Sequence, residues 1–386
     1  MKYRPFGKLN WQGSALGFGC MRLPVIDGNA AKIDEPRAIN MIRYGIDNGI
    51  NYVDTAYPYH EGMSEPLVGK ALTGGFRQKV KLATKLPVWL LHSKADLDKY
   101  LNEQLTRLQT DTIDFYLLHA LDRGRWPLLL SLDIEEWIEK AKGDGRIQNI
   151  GFSFHDEYAV FEEIINGYDQ WDFCQIQYNY LDIEEQAGEK GLKLAAQKGL
   201  AVVIMEPLMG GRLSSPPPSV SSILDQSEIK RSPTDWALQW LWSQPEVSVV
   251  LSGMSDEVQV KENLESAGRS AVGAFSAKEM EIIDQARQQY RSVLPIPCTK
   301  CGYCMPCPNG VNIPFVFELF NKAVMVDDWG SGRFRYGQIA ASDRADQCVD
   351  CGACEEACPQ KIEISDWMPI VDDVMGQKNE WNGRRP

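Results

Sequence analysis

The chain has few histidines, no basic excess and, over most of its length, almost no cysteine. It has no apolar run approaching the length that crosses a bilayer, so no membrane-spanning helix is expected. The formal net charge of −13 discourages binding to nucleic acid or to an anionic membrane, leaving basic partners open. No signal-peptide pattern opens the chain, and the expected location is cytoplasmic. A dinucleotide fingerprint is missing too. Gly17-x-Gly19 lacks the third glycine and runs into Pro24 and a loop rather than a helix, which disfavours a Rossmann fold. Through about residue 295 the cysteines are only Cys20 and Cys174, each in an apolar stretch, where a small buried hydrophobe is the ordinary role.

What the first part lacks, the last part concentrates. Eight of the ten cysteines form two runs, Cys298-x2-Cys301-x2-Cys304-x2-Cys307-Pro308 and Cys348-x2-Cys351-x2-Cys354-x3-Cys358-Pro359. Three thiolates two residues apart wrap one face of a cubane, and a fourth followed by proline turns toward a second cluster, so the pattern is a ligand set for two [4Fe-4S] clusters. Only the second run matches the bacterial ferredoxin spacing residue for residue; the first has two residues, not three, before its last cysteine. Structural zinc is the alternative, since Cys-x2-Cys pairs also suit a tetrahedral ion, but four evenly spaced cysteines ending in Cys-Pro, twice, argue against it. Disulfides are disfavoured in a cytosolic chain. By ferredoxin logic the ligands cross between runs, Cys298, Cys301 and Cys304 with Cys358, and Cys348, Cys351 and Cys354 with Cys307.

A chain of 386 residues suggests two domains, or one barrel with an extension. After a hairpin around Phe6-Gly7-Lys8-Leu9-Asn10, eight apolar strand-like runs recur: 15–19, 51–53, 80–83, 114–118, 149–152, 173–176, 201–205 and 247–251. Helical patterns such as Ala95 to Leu108 separate them. Short apolar strands alternating with amphipathic helices imply a parallel sheet buried on both faces. The expected fold is therefore α/β, a (β/α)8 TIM barrel over residues 1–290, with a small ferredoxin-like iron-sulfur domain over 291–386; a doubly wound open sheet is the runner-up. The C-terminal segment is too short and too broken by glycine and proline to bury much core, so metal cross-links would supply stability. Within it, Pro314 to Val326 reads as an amphipathic helix and Asp327 to Gly332 as a loop.

On a barrel, polar residues at the C-terminal strand ends belong to the active face. Asp54, Lys85, His119, Ser153, Gln175, Gln177 and Glu206 occupy such positions. Here the sequence resembles the aldo-keto reductases over residues 3 to 290. Asp54-Thr55-Ala56-Tyr57-Pro58-Tyr59, followed by Ser64-Glu65, looks like the family's Asp-x4-Tyr segment, with Lys85 in Leu82-Ala83-Thr84-Lys85 and His119 in Asp114-Phe115-Tyr116-Leu117-Leu118-His119. The resemblance implies a catalytic tetrad of Asp54, Tyr59, Lys85 and His119, and hydride transfer between a nicotinamide cofactor and a small carbonyl or alcohol. Hydride delivery builds negative charge on the carbonyl oxygen, so a proton donor is needed within hydrogen-bond reach. Tyr59 would be that acid, Lys85 lowering its pKa, Asp54 neutralising the lysine and His119 orienting the substrate oxygen. Tyr57 falls outside the spacing and is expected to line the pocket. His60, His92 and His155 are expected on the surface or in loops, His155 nearest the pocket.

The resemblance also implies a cofactor site. Ser153 and Gln175 match positions that hold the nicotinamide carboxamide, with Met205 beneath the ring, and Glu206, Pro207, Leu208, Gly210 and Gly211 match the loop over the pyrophosphate. Gly253, Ser255, Gln259, Glu262 and Asn263 resemble the adenosine end. Gln259 stands where members preferring NADPH commonly carry an arginine, with Lys261 nearby; NADP(H) is expected over NAD(H). Barrel plus cysteine module resembles a subset of the family with an iron-sulfur extension. The clusters would be structural staples, or wires to a ferredoxin or flavodoxin partner; the wire makes the chain an electron-transfer protein serving a barrel-bound substrate. A non-catalytic binding or regulatory barrel is a third alternative, against which all four tetrad residues count.

Overall fold

The structure, a computed structural model, describes all residues except Val293, Thr299, Cys301 and Pro359. By packing, the chain divides into two compact units, one of residues 1–215 and 227–280, the other of 216–226 and 281–386.

The first unit opens with an antiparallel hairpin, β1 (Tyr3–Phe6) and β2 (Leu9–Ser14). Gly7 turns it at φ +54, and a Cβ there would stand 2.3 Å from the Ala201 backbone nitrogen, so no other residue fits. Arg4 fastens the hairpin by donating to the carbonyls of Val247 and Trp242 at 2.6 and 2.7 Å. Phe6, fully buried, packs against Tyr52, Phe115 and Phe173.

Eight parallel strands follow: β3 (Leu16–Gly19), β4 (Tyr52–Asp54), β5 (Lys81–Leu86), β6 (Ile113–Leu121), β7 (Ile147–Phe154), β8 (Phe173–Gln177), β9 (Ala201–Met205) and β10 (Val247–Gly253). Each pairs with its neighbour in order, and β10 closes onto β3, giving a closed barrel. All eight runs expected from the sequence are strands of it. The burial of β3, β4 and most of every later strand explains why they read as continuous apolar runs. Between β5 and β6 lies the helix Lys94–Leu108, started by a Ser93/Asp96 capping box and seated through Leu97, Tyr100, Leu101 and Leu108.

The second unit does bury a core, contrary to the expectation from its length. Val316, Phe317 and Phe320 of the helix Ile313–Val326 pack in one cluster with Trp367, Met368 and Val371 of the helix Ile364–Val371. Asn321 ties in Ile296, accepting its N–H and donating to its carbonyl. The segment 327–332, expected as a loop, is one only at Asp327 and Asp328. Asp327 ends one helix at φ 50, and the Asp328 carboxylate caps the next, Trp329–Gln338, by accepting the Ser331 N–H at 3.0 Å. Gly332, which looked like a turn residue, is a close-contact point: a Cβ there would meet Ala323 Cβ at 3.0 Å. Among the described residues no helix is long and apolar enough to cross a membrane.

Candidate active site and thiol-lined cavities

Parallel strands of a closed barrel deliver their C-terminal ends to one rim. Asp54 closes β4, Lys85 and Ser153 are the penultimate residues of β5 and β7, His119 lies near the end of β6, Gln175 in β8, and Glu206 directly follows β9. Lys85 is fully buried, so its ammonium needs partners for all three protons. Nζ donates to both oxygens of Asp54 at 2.7 and 2.9 Å, to the Thr55 carbonyl at 2.8 Å, and lies 3.3 Å from Tyr59 Oη. Burial alone would lower the ammonium pKa, but Asp54 and Tyr59 outweigh it and hold it above its ordinary value. Burial raises the Asp54 carboxyl, with Lys85 opposing. From the sequence, Lys85 is expected to pull the Tyr59 phenol down. The net direction is up, because desolvation costs the phenolate more than the nearby ammonium returns.

His119 sits at a break in the ladder. The β6–β7 register shifts between Leu118 and Leu121, Ala120 takes φ 55, and its N–H donates to Ser153 Oγ at 2.7 Å. Such a bulge re-aims side chains. The imidazole stands edge-on to Tyr59, with ring centroids 6.3 Å apart, and to Trp89 at 5.0 Å. Its Nδ1 is buried with no hydrogen-bond partner among the described residues. Burial first, then the charges of Lys85, His155 and Arg125, hold the imidazole well below its ordinary pKa, so it is neutral near pH 7.

Asp54 and Tyr59 lie on the wall of an open cleft of about 750 Å³, within the size range of small-molecule sites. Gln175, Glu206, Pro207, Leu208, Gly210, Gly211, Gly253, Ser255, Gln259, Glu262 and Asn263 all line it, as does Met205. Ser153 does not; its oxygen is engaged by Ala120, and the residue is 1 % exposed. Two observations fit a nicotinamide dinucleotide. Gln175 Oε1 is buried with no hydrogen-bond partner among the described residues, an acceptor suited to a carboxamide N–H. A Cβ on Gly210 would come within 2.9 Å of Arg22 Nη2, and one on Gly253 within 3.2 Å of the Arg22 side chain, so two glycines keep this wall open.

Several neighbours behave otherwise than expected. Tyr57 does not line the cleft: its hydroxyl donates to Glu103 at 3.2 Å, and the Arg107 guanidinium lies 4.1 Å from its ring centroid. His60 does line it, as a strut. Its Nε2 accepts the Leu23 N–H at 3.1 Å and its Nδ1 lies 2.8 Å from the Ala30 carbonyl, tying the loop after β3 to the turn that carries Tyr59. His155 is exposed and absent from the cleft wall. Arg22, unnoticed in the sequence, is on the wall, 3.8 Å from Glu206. Also unnoticed was a buried network behind Lys85. Glu65 Oε1 accepts from Thr84 Oγ1 and Gln104 Nε2 at 2.7 and 2.6 Å, and Gln104 Nε2 also donates to the Lys85 carbonyl at 3.0 Å. A signal existed: Gln104 is the one polar residue on an otherwise apolar helical stripe of Leu97, Leu101 and Leu108.

In the second unit the cysteines line two cavities. One is bordered by Cys307, Cys348, Cys351 and Cys354. The other is bordered by Cys298, Cys304 and Cys358, while Cys301 lies outside the described residues. Each cavity thus draws on both runs, in the crossed combination that ferredoxin logic predicts. Ile313 and Ile364 line both. Among the described residues no three His, Cys, Asp or Glu side chains are gathered as the ligands of one ion would be. Thiols around an apolar cavity are a donor set that fits iron-sulfur clusters. Asn309 Nδ2 donates to Cys351 Sγ at 3.9 Å.

Comparison with known proteins agrees with this division. Residues 15–288 match the model of the aldo/keto reductase family, and residues 297–363 that of a 4Fe-4S dicluster domain. An oxidoreductase of Bacillus subtilis, YqkF, described as uncharacterized, is 28% identical over 302 residues, 69% of this chain and 91% of its own. The holo form of the aldo-keto reductase AKR11C1 from Bacillus halodurans superposes with a TM-score of 0.61 at 30% identity, covering 74% of this chain and 96% of its own. An aldo-keto reductase from Klebsiella pneumoniae, solved in complex with NADPH, shares the fold at 23% identity and a TM-score of 0.60, over 74% and 94% of the two chains. The chain belongs to the aldo/keto reductase family and carries, C-terminal to that region in sequence, a 4Fe-4S dicluster domain.

Proposed function

We propose that residues 1–290 form a nicotinamide-dependent reductase of small carbonyl compounds, and that residues 291–386 form a domain holding two [4Fe-4S] clusters. The observation that carries the proposal is the contact of one buried ammonium, Lys85, with both Asp54 and Tyr59 on the wall of the cleft. When bound, the reduced nicotinamide supplies the hydride. Tyr59, kept neutral by burial, holds the proton that the developing alkoxide needs. Lys85 stabilises the phenolate left behind, and Asp54 keeps the lysine charged. Neutral His119 offers one N–H to orient the substrate oxygen, and the open acceptor of Gln175 suits the carboxamide. In the dicluster domain, Cys298, Cys301, Cys304 and Cys358 would hold one cluster and Cys307, Cys348, Cys351 and Cys354 the other, each iron taking one thiolate.

The test is anaerobic purification with iron and sulfide counting, then a panel of aldehydes and ketones with each nicotinamide cofactor on the same sample. About eight irons per chain and carbonyl reduction that depends on Tyr59 are expected. Stoichiometric zinc in place of iron would sink the cluster assignment. Failure of every carbonyl with every cofactor, in folded and iron-loaded protein, would sink the reductase.

A further inference from the structure

We infer that the cleft is built for the dinucleotide without a 2′-phosphate, NAD(H), and discriminates against NADP(H), the reverse of the expectation from sequence; this rests on the proposed nicotinamide-dependent reductase. A 2′-phosphate brings close to two negative charges and is held by arginine or lysine. At the end of the cleft formed by Gly253, Ser255, Gln259, Glu262 and Asn263 the wall offers none. Its one charged residue is Glu262, a carboxylate.

The nearby cations are paired elsewhere or lie off the wall. Gln259, where an arginine would serve, folds back on its own turn: its Oε1 accepts the Ser255 N–H at 2.9 Å, leaving a neutral amide as its only donor. The first turn of the helix Glu257–Gly268 is capped by the Asp256 carboxylate, which accepts the Gln259 N–H at 2.9 Å. That puts a carboxylate on the backbone N–H group that an anion would otherwise use. Arg37 is held by both oxygens of Glu257, through contacts of 2.9, 3.2 and 2.7 Å, and is not on the cleft wall. Lys261 is likewise off the wall and acts on Glu257. Arg22, the only lysine or arginine on the wall among the described residues, pairs with Glu206 of the loop after β9. A 2′-phosphate would meet carboxylates and a neutral amide. A ribose 2′-hydroxyl in its place is a donor that those same oxygens can accept.

The experiment is binding, free of turnover: quenching of tryptophan fluorescence by NADH and NADPH, with 5′-AMP and adenosine 2′,5′-bisphosphate as probes of the adenosine end alone. NADH should bind more tightly than NADPH by about tenfold or more, and 5′-AMP more tightly than the bisphosphate, the scale of an uncompensated like-charge contact. Gln259→Arg should lower the ratio of the NADPH to the NADH dissociation constant by about tenfold, and Glu262→Gln should lower it in the same direction. Equal or tighter binding of NADPH by the natural protein would overturn the inference and leave the reductase standing. Binding of neither dinucleotide would overturn both.

Discussion

Ser153 Oγ accepts the N–H of Ala120 at 2.7 Å, and so holds closed the bulge that presents His119 to Tyr59. The sequence leads one to expect Ser153 at the nicotinamide carboxamide, yet its oxygen accepts a backbone N–H inside the barrel wall. The two roles make different forecasts. Ser153→Ala strands a buried N–H, at a cost of about 1–3 kcal/mol, and loosens the imidazole. A fall in kcat with little change in the cofactor dissociation constant is expected, with Ser153→Thr restoring most of it. Weaker cofactor binding at unchanged kcat would show that Ser153 serves the carboxamide instead.

The two tyrosines of the same loop should separate cleanly. Tyr59→Phe removes the proposed acid and should lower carbonyl reduction by at least ~10²-fold while dinucleotide binding persists. Tyr57→Phe removes a hydroxyl that touches Glu103 rather than the cleft, so it should cost about 1 kcal/mol or less of stability and little turnover. Exchange of these behaviours between the mutants would refute the assignment of Tyr59.

His119 carries a sign that thermal melts can read. Its folded-state pKa is depressed, so below its ordinary value of about 6.5 the unfolded chain takes up the proton first. Stability from the neutral imidazole is thus fully present above that value and is lost as pH falls through the window below it. The melting temperature should drop more between neutral pH and about pH 5.5 in the natural protein than in His119→Asn, whose carboxylates titrate alike. Equal drops would mean that His119 is not held neutral by its surroundings.

How much of this was legible beforehand differs by level. The barrel was readable because its strands are buried on both faces and therefore apolar without interruption. Asp54, Lys85 and His119 were readable because polar side chains at such strand ends stand out. Direction was not. Tyr57 and Tyr59 are two residues apart, and the spacing does not show that Tyr57 turns to Glu103 and Arg107 while Tyr59 meets Lys85. The sign of the Tyr59 shift was missed because spacing reports the neighbouring lysine and says nothing of how much water the fold removes. The helix Trp329–Gln338 was hidden because Gly330 and Gly332 read as a turn until the close approach to Ala323 is seen.

The network behind Lys85 should matter to folding more than to chemistry. Gln104→Leu would take from Glu65 a donor at 2.6 Å in a fully buried site, and from the Tyr116 hydroxyl an acceptor at 2.7 Å. A loss of about 2–3 kcal/mol in urea unfolding is expected, since both groups are left short of partners. A loss below about 0.5 kcal/mol would mean that water or Arg107 replaces the glutamine completely.

The clusters pose the last question, whether they staple the domain or carry electrons. Hydride transfer moves two electrons together and needs no wire, and thiolate bonds that organise the domain survive one-electron reduction. A staple is therefore indifferent to oxidation state, whereas a wire must change state in every turnover. Burial differs between ligands in a useful way: Cys354 and Cys358 are buried, while Cys351 is exposed and bonded to Asn309. The staple is expected to hold. Turnover of a small aldehyde should proceed at one rate with the clusters oxidised or dithionite-reduced, and Cys351→Ala should lower yield and melting temperature more than turnover per folded molecule. Stopped-flow absorbance of the clusters, recorded beside cofactor oxidation, decides the matter. Bleaching and recovery at the catalytic rate would refute the staple, and Asn309→Ala should then slow that cycle by removing the hydrogen bond to Cys351 Sγ.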